Sequence, residues 1–376
     1  MEQRGIWQPS GLLQGRRDVL RLGGLTVAGL GAGALAGRGG WAADRKLKIA
    51  LSNSFIGNKW RLEMENVFKA CLQMEPYKSG VEGSWFNSGN DVSKQSQQLT
   101  NLIAERVDAI LIDAASPTGL NGILNQAVAR GVLVIAFDNN VTSKHVLTVN
   151  ISQYELGRTL ADFLAKKLGG KGNVIMVTGV SGTQVDEDRN RGADSVWSQN
   201  PGIKVVNRYN GMWDSSVAER NTAAVLPSLP KIDGVWCQGG TDGVIKAFIS
   251  ANRPMPVVAG ECENGFRKFM TPEGYMGHKV EGMSIGSPPF LSAISLELAC
   301  RILRGKYPKK SLDLPLSIVT NDTIKVGQNV FPNQPDSFFD DFTDGGDHAL
   351  IKICVDAALN GTSCGNSVSI NLPPAA

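Results

Sequence analysis

Short, nearly continuous apolar runs alternate along this chain with stretches whose apolar residues fall three and four apart, and that alternation restricts it to an α/β fold. Residues 47–52, 81–86, 109–113 and 132–138 are the runs, rich in Ile, Leu and Val. Between them, 62–75, 92–106 and 120–130 carry the helical spacing, and Gly131 marks a helix end. Strands that are apolar on both faces need parallel pairing beneath helices on both sides. The pattern then restarts. An amphipathic helix over 154–168 ends at Gly169-Gly170, and strands follow at 173–178, 204–209, 234–238 and 257–260. Helical stretches near 188–199, 217–226 and 242–251 separate them. A helix at 290–303 and a strand at 316–320 come after this second unit. They must return to one or both lobes, so the chain crosses between lobes several times.

A length of 376 residues suits two lobes. No long stretch lacks aliphatic residues, which excludes a disordered chain. The longest uncharged apolar run, 22–37, is too short and too glycine-rich for a membrane span. The formal charge of +3 resides wholly in the first 43 residues, where Arg4, Arg16, Arg17, Arg21 and Arg38 face Glu2 and Asp18. The remainder is balanced, without the basic surplus that nucleic-acid binding requires.

Residues 1–43 read as an export signal. Arg16-Arg17-Asp18-Val19-Leu20-Arg21 precedes a mildly apolar run that ends near Gly40-Trp41-Ala42-Ala43, and cleavage is expected after Ala42 or Ala43. The paired arginines resemble a twin-arginine signal, which makes the periplasm the expected location. Gly29-Leu30-Gly31-Ala32-Gly33-Ala34 lies inside this segment and lacks the strand and helix that a dinucleotide loop needs. No cofactor is expected. Of the cysteines, Cys354 and Cys364 are the easiest pair to bridge in an oxidising compartment, Cys71 reads as a buried thiol, and the spacings fit no zinc motif.

In parallel sheets ligands bind at the carboxyl ends of strands. Those ends carry Asn53, Phe55, Asn58 and Trp60, then Asn87, Asn90 and Asp91, then Asp138, Asn139 and Asn140. In the second unit they carry Gln184, Asp188 and Arg189, then Trp213 and Asp214, Gln238 and Asp242, and Glu261 and Glu263. Amide, carboxylate and guanidinium groups offer paired donors or acceptors to adjacent hydroxyls, and an indole covers the C–H face of a sugar ring. Such a set suits a carbohydrate or polyol. Taken singly, the Asn and Asp residues are better explained as helix caps and turn formers, whereas Trp60, Trp213 and Arg189 are not.

Lys48-Ile49-Ala50-Leu51-Ser52, the stretch from Gln97 to Leu111, Gly131-Val132-Leu133-Val134-Ile135-Ala136-Phe137-Asp138 and Glu155-Leu156-Gly157-Arg158 resemble the sugar-binding periplasmic proteins of the ribose-binding type. So do Gly170-Lys171-Gly172-Asn173-Val174, Pro201-Gly202-Ile203-Lys204-Val205-Val206 and Trp213-Asp214, and the likeness covers roughly residues 47–324. The resemblance implies two Rossmann-like lobes with parallel sheets flanked by helices, joined by a three-crossing hinge that shuts on the ligand. It places Asp138 in the first lobe's site, with Asn139 where an arginine is common, and Arg189 ahead of Gly192 and Trp213 in the second's; Trp60 is similar to an aromatic after the first strand. Gln238-Gly239-Gly240-Thr241-Asp242 and Gly260-Glu261-Cys262-Glu263 depart from the family pattern, with Glu261 in place of an aspartate, and Ser287 stands where glutamine is frequent.

The expectation is an exported, monomeric solute-binding protein without a catalytic step, which encloses a sugar or polyol and delivers it to an ABC-type permease. Asn58, Asp138 and Asn139 would bond the ligand from the first lobe, Arg189, Gln238, Asp242 and Glu261 from the second, with Trp60 and Trp213 on opposite faces of the ring. Residues 44–149 with 286–318 form the first lobe and 150–285 with 319–330 the second, while 331–376, rich in Asp, Gly, Pro and Asn, wrap the surface. A ligand-loaded sensor docking on a membrane receptor would use the same fold, and the Lys-rich 306–310 stretch serves as a docking patch or a solvated helix end. Gly282-Met283-Ser284-Ile285-Gly286 fits a hydrolase nucleophile elbow, but Pro288-Pro289 follows at once and His348 is the only downstream histidine. A DNA-binding regulator of this fold would need a helix pair where the export signal lies.

Overall fold

The computed structural model describes residues 45–287 and 289–339. The expected export signal, the expected Cys354–Cys364 bridge and His348 lie outside the described residues.

The first half of the chain runs β1 (Leu47–Asn53), α1 (Lys59–Leu72), the single turn α2 (Tyr77–Gly80), β2 (Val81–Asn87), α3 (Val92–Ala104), β3 (Ala109–Asp113), α4 (Asn121–Ala129), β4 (Leu133–Phe137) and β5 (Leu147–Asn150). The second runs α5 (Gln153–Lys167), β6 (Lys171–Thr178), α6 (Gln184–Trp197), β7 (Gly202–Asn210), α7 (Ser215–Val225), β8 (Gly234–Cys237), α8 (Thr241–Ser250), β9 (Val257–Glu261), α9 (Asn264–Met270) and β10 (Gly282–Gly286). After these come α10 (Leu291–Leu303), β11 (Leu312–Asp313) and β12 (Ser317–Thr320).

Among the described residues two six-stranded sheets form, ordered β2-β1-β3-β4-β5-β11 and β7-β6-β8-β9-β10-β12. Every pairing is parallel except β10 with β12. The continuous apolar runs behave as the pattern requires: every residue of β3 and β4 is buried, because helices cover both faces. Helix starts follow local chemistry. Asn58, Asp91, Ser152 and Asp214 each accept a first-turn amide, from Arg61, Lys94, Glu155 and Val217 at 2.9, 3.0, 3.2 and 2.9 Å.

Three connections join the sheets: β5 to α5, β10 to α10, and β11 to β12. Their positions correct the expected lobe limits. Asn150 closes β5 in the first sheet, whereas Gly286, Ser317 and Ile318 sit in the second, where Gly286 pairs with Ser317 and Ile285 with Ile318. The tail also differs from expectation over its described part. Phe338 and Phe339 are buried, because Asn264 and Gly265 on α9 fasten the segment by backbone and side-chain bonds. Within the described residues no helix is long and apolar enough to cross a membrane.

Candidate functional site

Strand register brings the first lobe's polar groups together: Asn53 lies beside both Asn87 and Asp113, so the loops after β1, β2 and β3 leave the sheet at one edge. Asp138, just past β4, has φ of +55°, a left-handed conformation that Asp tolerates better than most residues. Asn150 fixes this turn by donating its side-chain N–H to the Asp138 carbonyl at 2.8 Å. The Asp138 carboxylate accepts from Arg61 and from Asn139 Nδ2, each at 3.2 Å. Arg61, in the first turn of α1, also donates to Asn53 Oδ1 at 3.2 Å and Ser54 Oγ at 3.3 Å and pairs with Asp113. A fully enclosed guanidinium is thereby matched by two carboxylates.

Across the cleft Arg189 occupies the same role. Its position depends on how closely α5 and α6 approach: a Cβ on Gly157 would lie 2.1 Å from the Arg189 carbonyl, and one on Gly192 would lie 2.1 Å from the Tyr154 carbonyl. The guanidinium donates to Gln153 Oε1 at 2.8 Å, to the Gln238 carbonyl at 2.8 Å and to Glu261 Oε1 at 2.9 Å. Trp213 sits on the turn after β7 with φ of +53°. Its ring covers Gly179, where a Cβ would come within 2.1 Å of the indole, and its N–H donates to Gln238 Oε1 at 3.1 Å. Trp60 donates to the Ser287 carbonyl at 2.7 Å.

Burial dominates the electrostatics. It raises the Asp138 carboxyl above the usual range against the opposing pull of Arg61 and Arg189. Glu261 is raised by the same cause, Arg189 opposing and Asp138 adding to it. Desolvation lowers Arg61 from its ordinary value.

Asn58, Trp60, Arg61, Asp138, Val185, Arg189, Trp213, Glu261, Ser287 and Phe339 line one narrow cleft between the sheets, with a cavity volume of about 20 Å³. It therefore gathers Asn58, Trp60, Asp138, Arg189, Trp213 and Glu261 from the expected set. Asn139, Gln238 and Asp242 are not lining residues, and each is occupied elsewhere. Asn139 bonds Asp113 Oδ1 at 3.1 Å as well as Asp138. Gln238 donates to Asp186 Oδ1 at 3.0 Å and Asn190 Oδ1 at 3.2 Å. Asp242 pairs with Lys246 at 2.7 Å and accepts from Ser215. These three hold the walls in place.

Arg61, Val185, Ser287 and Phe339 are additions to the expected set. The available signal for Arg61 was its place directly after Trp60, behind the first strand's end. Ser287 is 1% exposed, and its Oγ has no hydrogen-bond partner within the protein, so it can meet a polar ligand. Ser284 is buried in mid-strand, accepts from Arg267 Nε at 3.0 Å and donates to the Glu261 carbonyl at 3.3 Å. It is a strand residue, without the exposed turn of a nucleophile elbow. Among the described residues no group of His, Cys, Asp and Glu could hold a metal ion.

Residues 49–307 match the family described as periplasmic binding protein domain. The chain belongs to that family. It is 25% identical over 268 residues to a xylitol-binding protein of Mycolicibacterium smegmatis, covering 70% of this chain and 75% of that protein. It is 26% identical over 287 residues to the ribose import binding protein of Bacillus subtilis, covering 73% and 88%. Among solved structures, an ABC transporter solute binding protein from Thermobispora bispora superposes with a TM-score of 0.66 at 30% identity, covering 74% of this chain and 87% of that one. In this periplasmic binding protein, the cleft between the sheets lies where the strand ends of both lobes converge, as ligand sites do in open α/β sheets.

Proposed function

We propose that this protein is an exported solute receptor that encloses a sugar or polyol between its lobes and hands it to an ABC-type permease. The observation that carries this reading is the pair of facing ion-paired sets, Arg61–Asp138 and Arg189–Glu261, in one cleft with Trp60 and Trp213. Guanidinium and carboxylate groups held this way present donors and acceptors side by side, the arrangement that neighbouring hydroxyls match. The indoles supply the flat apolar surface for the ring's C–H face. Asn58 and Ser287 add polar contacts from the first lobe and the hinge, and Asn139 and Gln238 orient the contacting groups. Relatives named for xylitol and ribose support this ligand class.

Binding is the whole function, without a chemical step. Ligand contacts made by both lobes stabilise the closed form, and the permease reads that form. Residues 1–43 direct export to the periplasm, and the protein acts as a monomer.

A thermal-shift screen against pentoses, hexoses, sugar alcohols and inositols tests the reading. A ligand present at about a hundred times its Kd adds about 2.7 kcal/mol, a rise of several degrees in melting temperature. Failure of every compound, including on protein unfolded, dialysed and refolded to remove bound ligand, refutes the carbohydrate assignment.

A further inference from the structure

The family match ends at residue 307, yet Phe339 lines the cleft. The segment that carries it is fastened to the second lobe at several points. Asn264 Nδ2 donates to the carbonyls of Phe331 and Pro335 at 2.8 and 3.0 Å, and its Oδ1 accepts from the Phe331 amide at 2.8 Å. Gly265 donates its amide to the Asp336 carbonyl at 2.9 Å. The Asp336 carboxylate sits between Lys246 and Lys268, 3.0 Å from each. Beyond this anchor the chain reaches the other lobe. Phe339 forms an antiparallel bridge with Glu263, two residues past the end of β9, and donates its amide to Glu63 Oε2 on α1 at 3.2 Å.

The two residues that hold Phe339 are neighbours of residues in the cleft. Glu263 follows Glu261 by two positions, and Glu63 follows Trp60 and Arg61 on the same helix. One end of the segment therefore touches both lobes, and Phe339, 4% exposed, lines the cleft together with Trp60 and Glu261.

We propose that residues 331–339 are a clasp between the lobes and that Phe339 sets the size of ligand admitted. This rests on the carbohydrate reading for ligand size, though not for the clasp itself. A phenyl ring offers no hydrogen bond, so the ligand edge against it carries C–H groups, and an exocyclic hydroxymethyl there would lose its hydration without a partner. The protein thus selects a compact five-carbon sugar or polyol over the six-carbon counterpart that differs by one hydroxymethyl group.

The test uses the matched pyranose pairs D-ribose and D-allose, D-xylose and D-glucose, and L-arabinose and D-galactose, titrated calorimetrically into the full chain and its Phe339→Ala and Phe339→Leu variants. For the pair that binds, the parent chain prefers the pentose by tenfold or more. Phe339→Ala reduces that ratio toward one, and Phe339→Leu is intermediate. An unchanged ratio overturns the size assignment, even if both affinities fall together.

Small-angle scattering of the ligand-free proteins tests the clasp independently of any sugar. Phe339→Ala and Asp336→Ala are each expected to enlarge the radius of gyration with unchanged far-ultraviolet circular dichroism. An unaltered radius in both variants overturns the clasp. If no sugar binds any form while the radius still grows, the carbohydrate reading falls and the clasp stands.

Discussion

Trp60 donates its indole N–H to the Ser287 carbonyl at 2.7 Å, tying the opening helix of the first lobe to the connection between β10 and α10. The ring that covers one face of the cleft is thereby held by the hinge itself. Lobe movement and ring position are coupled through one buried hydrogen bond.

Trp60→Phe keeps an aromatic face and removes that bond, leaving the Ser287 carbonyl unpaired. Such a loss costs about 1–3 kcal/mol, so ligand affinity should drop about tenfold or more. Trp60→Ala should weaken binding further, because the stacking surface goes too. Calorimetric titration of the parent and the two variants separates the contributions, and parent-like affinity in Trp60→Phe would show that the hydrogen bond is irrelevant to binding.

Asp138→Asn conserves size, suits the left-handed backbone and leaves Arg61 paired with Asp113. Folding should survive, with melting temperature shifted by a few degrees at most. Binding should weaken by about tenfold to a hundredfold, because a buried charged acceptor contributes about 1.5–3 kcal/mol. Near-normal affinity would remove Asp138 from the site.

Gly157→Ala drives a methyl group into the Arg189 backbone, where a Cβ would sit 2.1 Å from its carbonyl oxygen. Overpacking of this kind costs about 1–3 kcal/mol. The displaced helix also moves the Arg189 guanidinium, so stability by urea titration and ligand affinity should fall together. A loss of stability with unaltered affinity would uncouple helix packing from the site.

Glu263 is buried, faces Glu261 and Asp242, and has its carboxyl pushed up to about 8, first by burial and then by those two charges. Because the folded value exceeds the ordinary value of 4.5, the folded state holds the proton more tightly than the unfolded chain does. Its contribution to stability is complete below about 4.5 and is lost as pH rises through about 8. Urea midpoints across that window should decline more steeply for the parent protein than for Glu263→Gln. Parallel profiles would refute the shift.

Much of the fold was legible because β3, β4, β8 and β9 are buried on both faces and show it as unbroken apolar runs. The destination of β12 was not, since four residues at a sheet edge carry no mark of partner or direction. The strand-end rule found Asp138, Arg189 and Glu261, whose charges converge on the cleft. Asp242 does not line that cleft, and its carboxylate is taken by Lys246 one helical turn away. Phe339 was hidden by its surroundings. A stretch rich in Asp, Pro and Asn reads as solvated, and only the adjacent Phe338-Phe339 pair signalled burial.

The return of α10 and β11 to the first lobe has a consequence for how the molecule is made. Neither lobe is finished by the residues that begin it: β5 waits for β11, more than a hundred and fifty positions later, and β10 waits for β12. A nascent chain released before residue 320 therefore lacks an edge strand of the second sheet. Contacts so distant in sequence are reached slowly, and no single cut between the halves yields two self-sufficient fragments. Synthesis must be nearly complete before a functional cleft exists, so a ligand can assist only the last stage of folding.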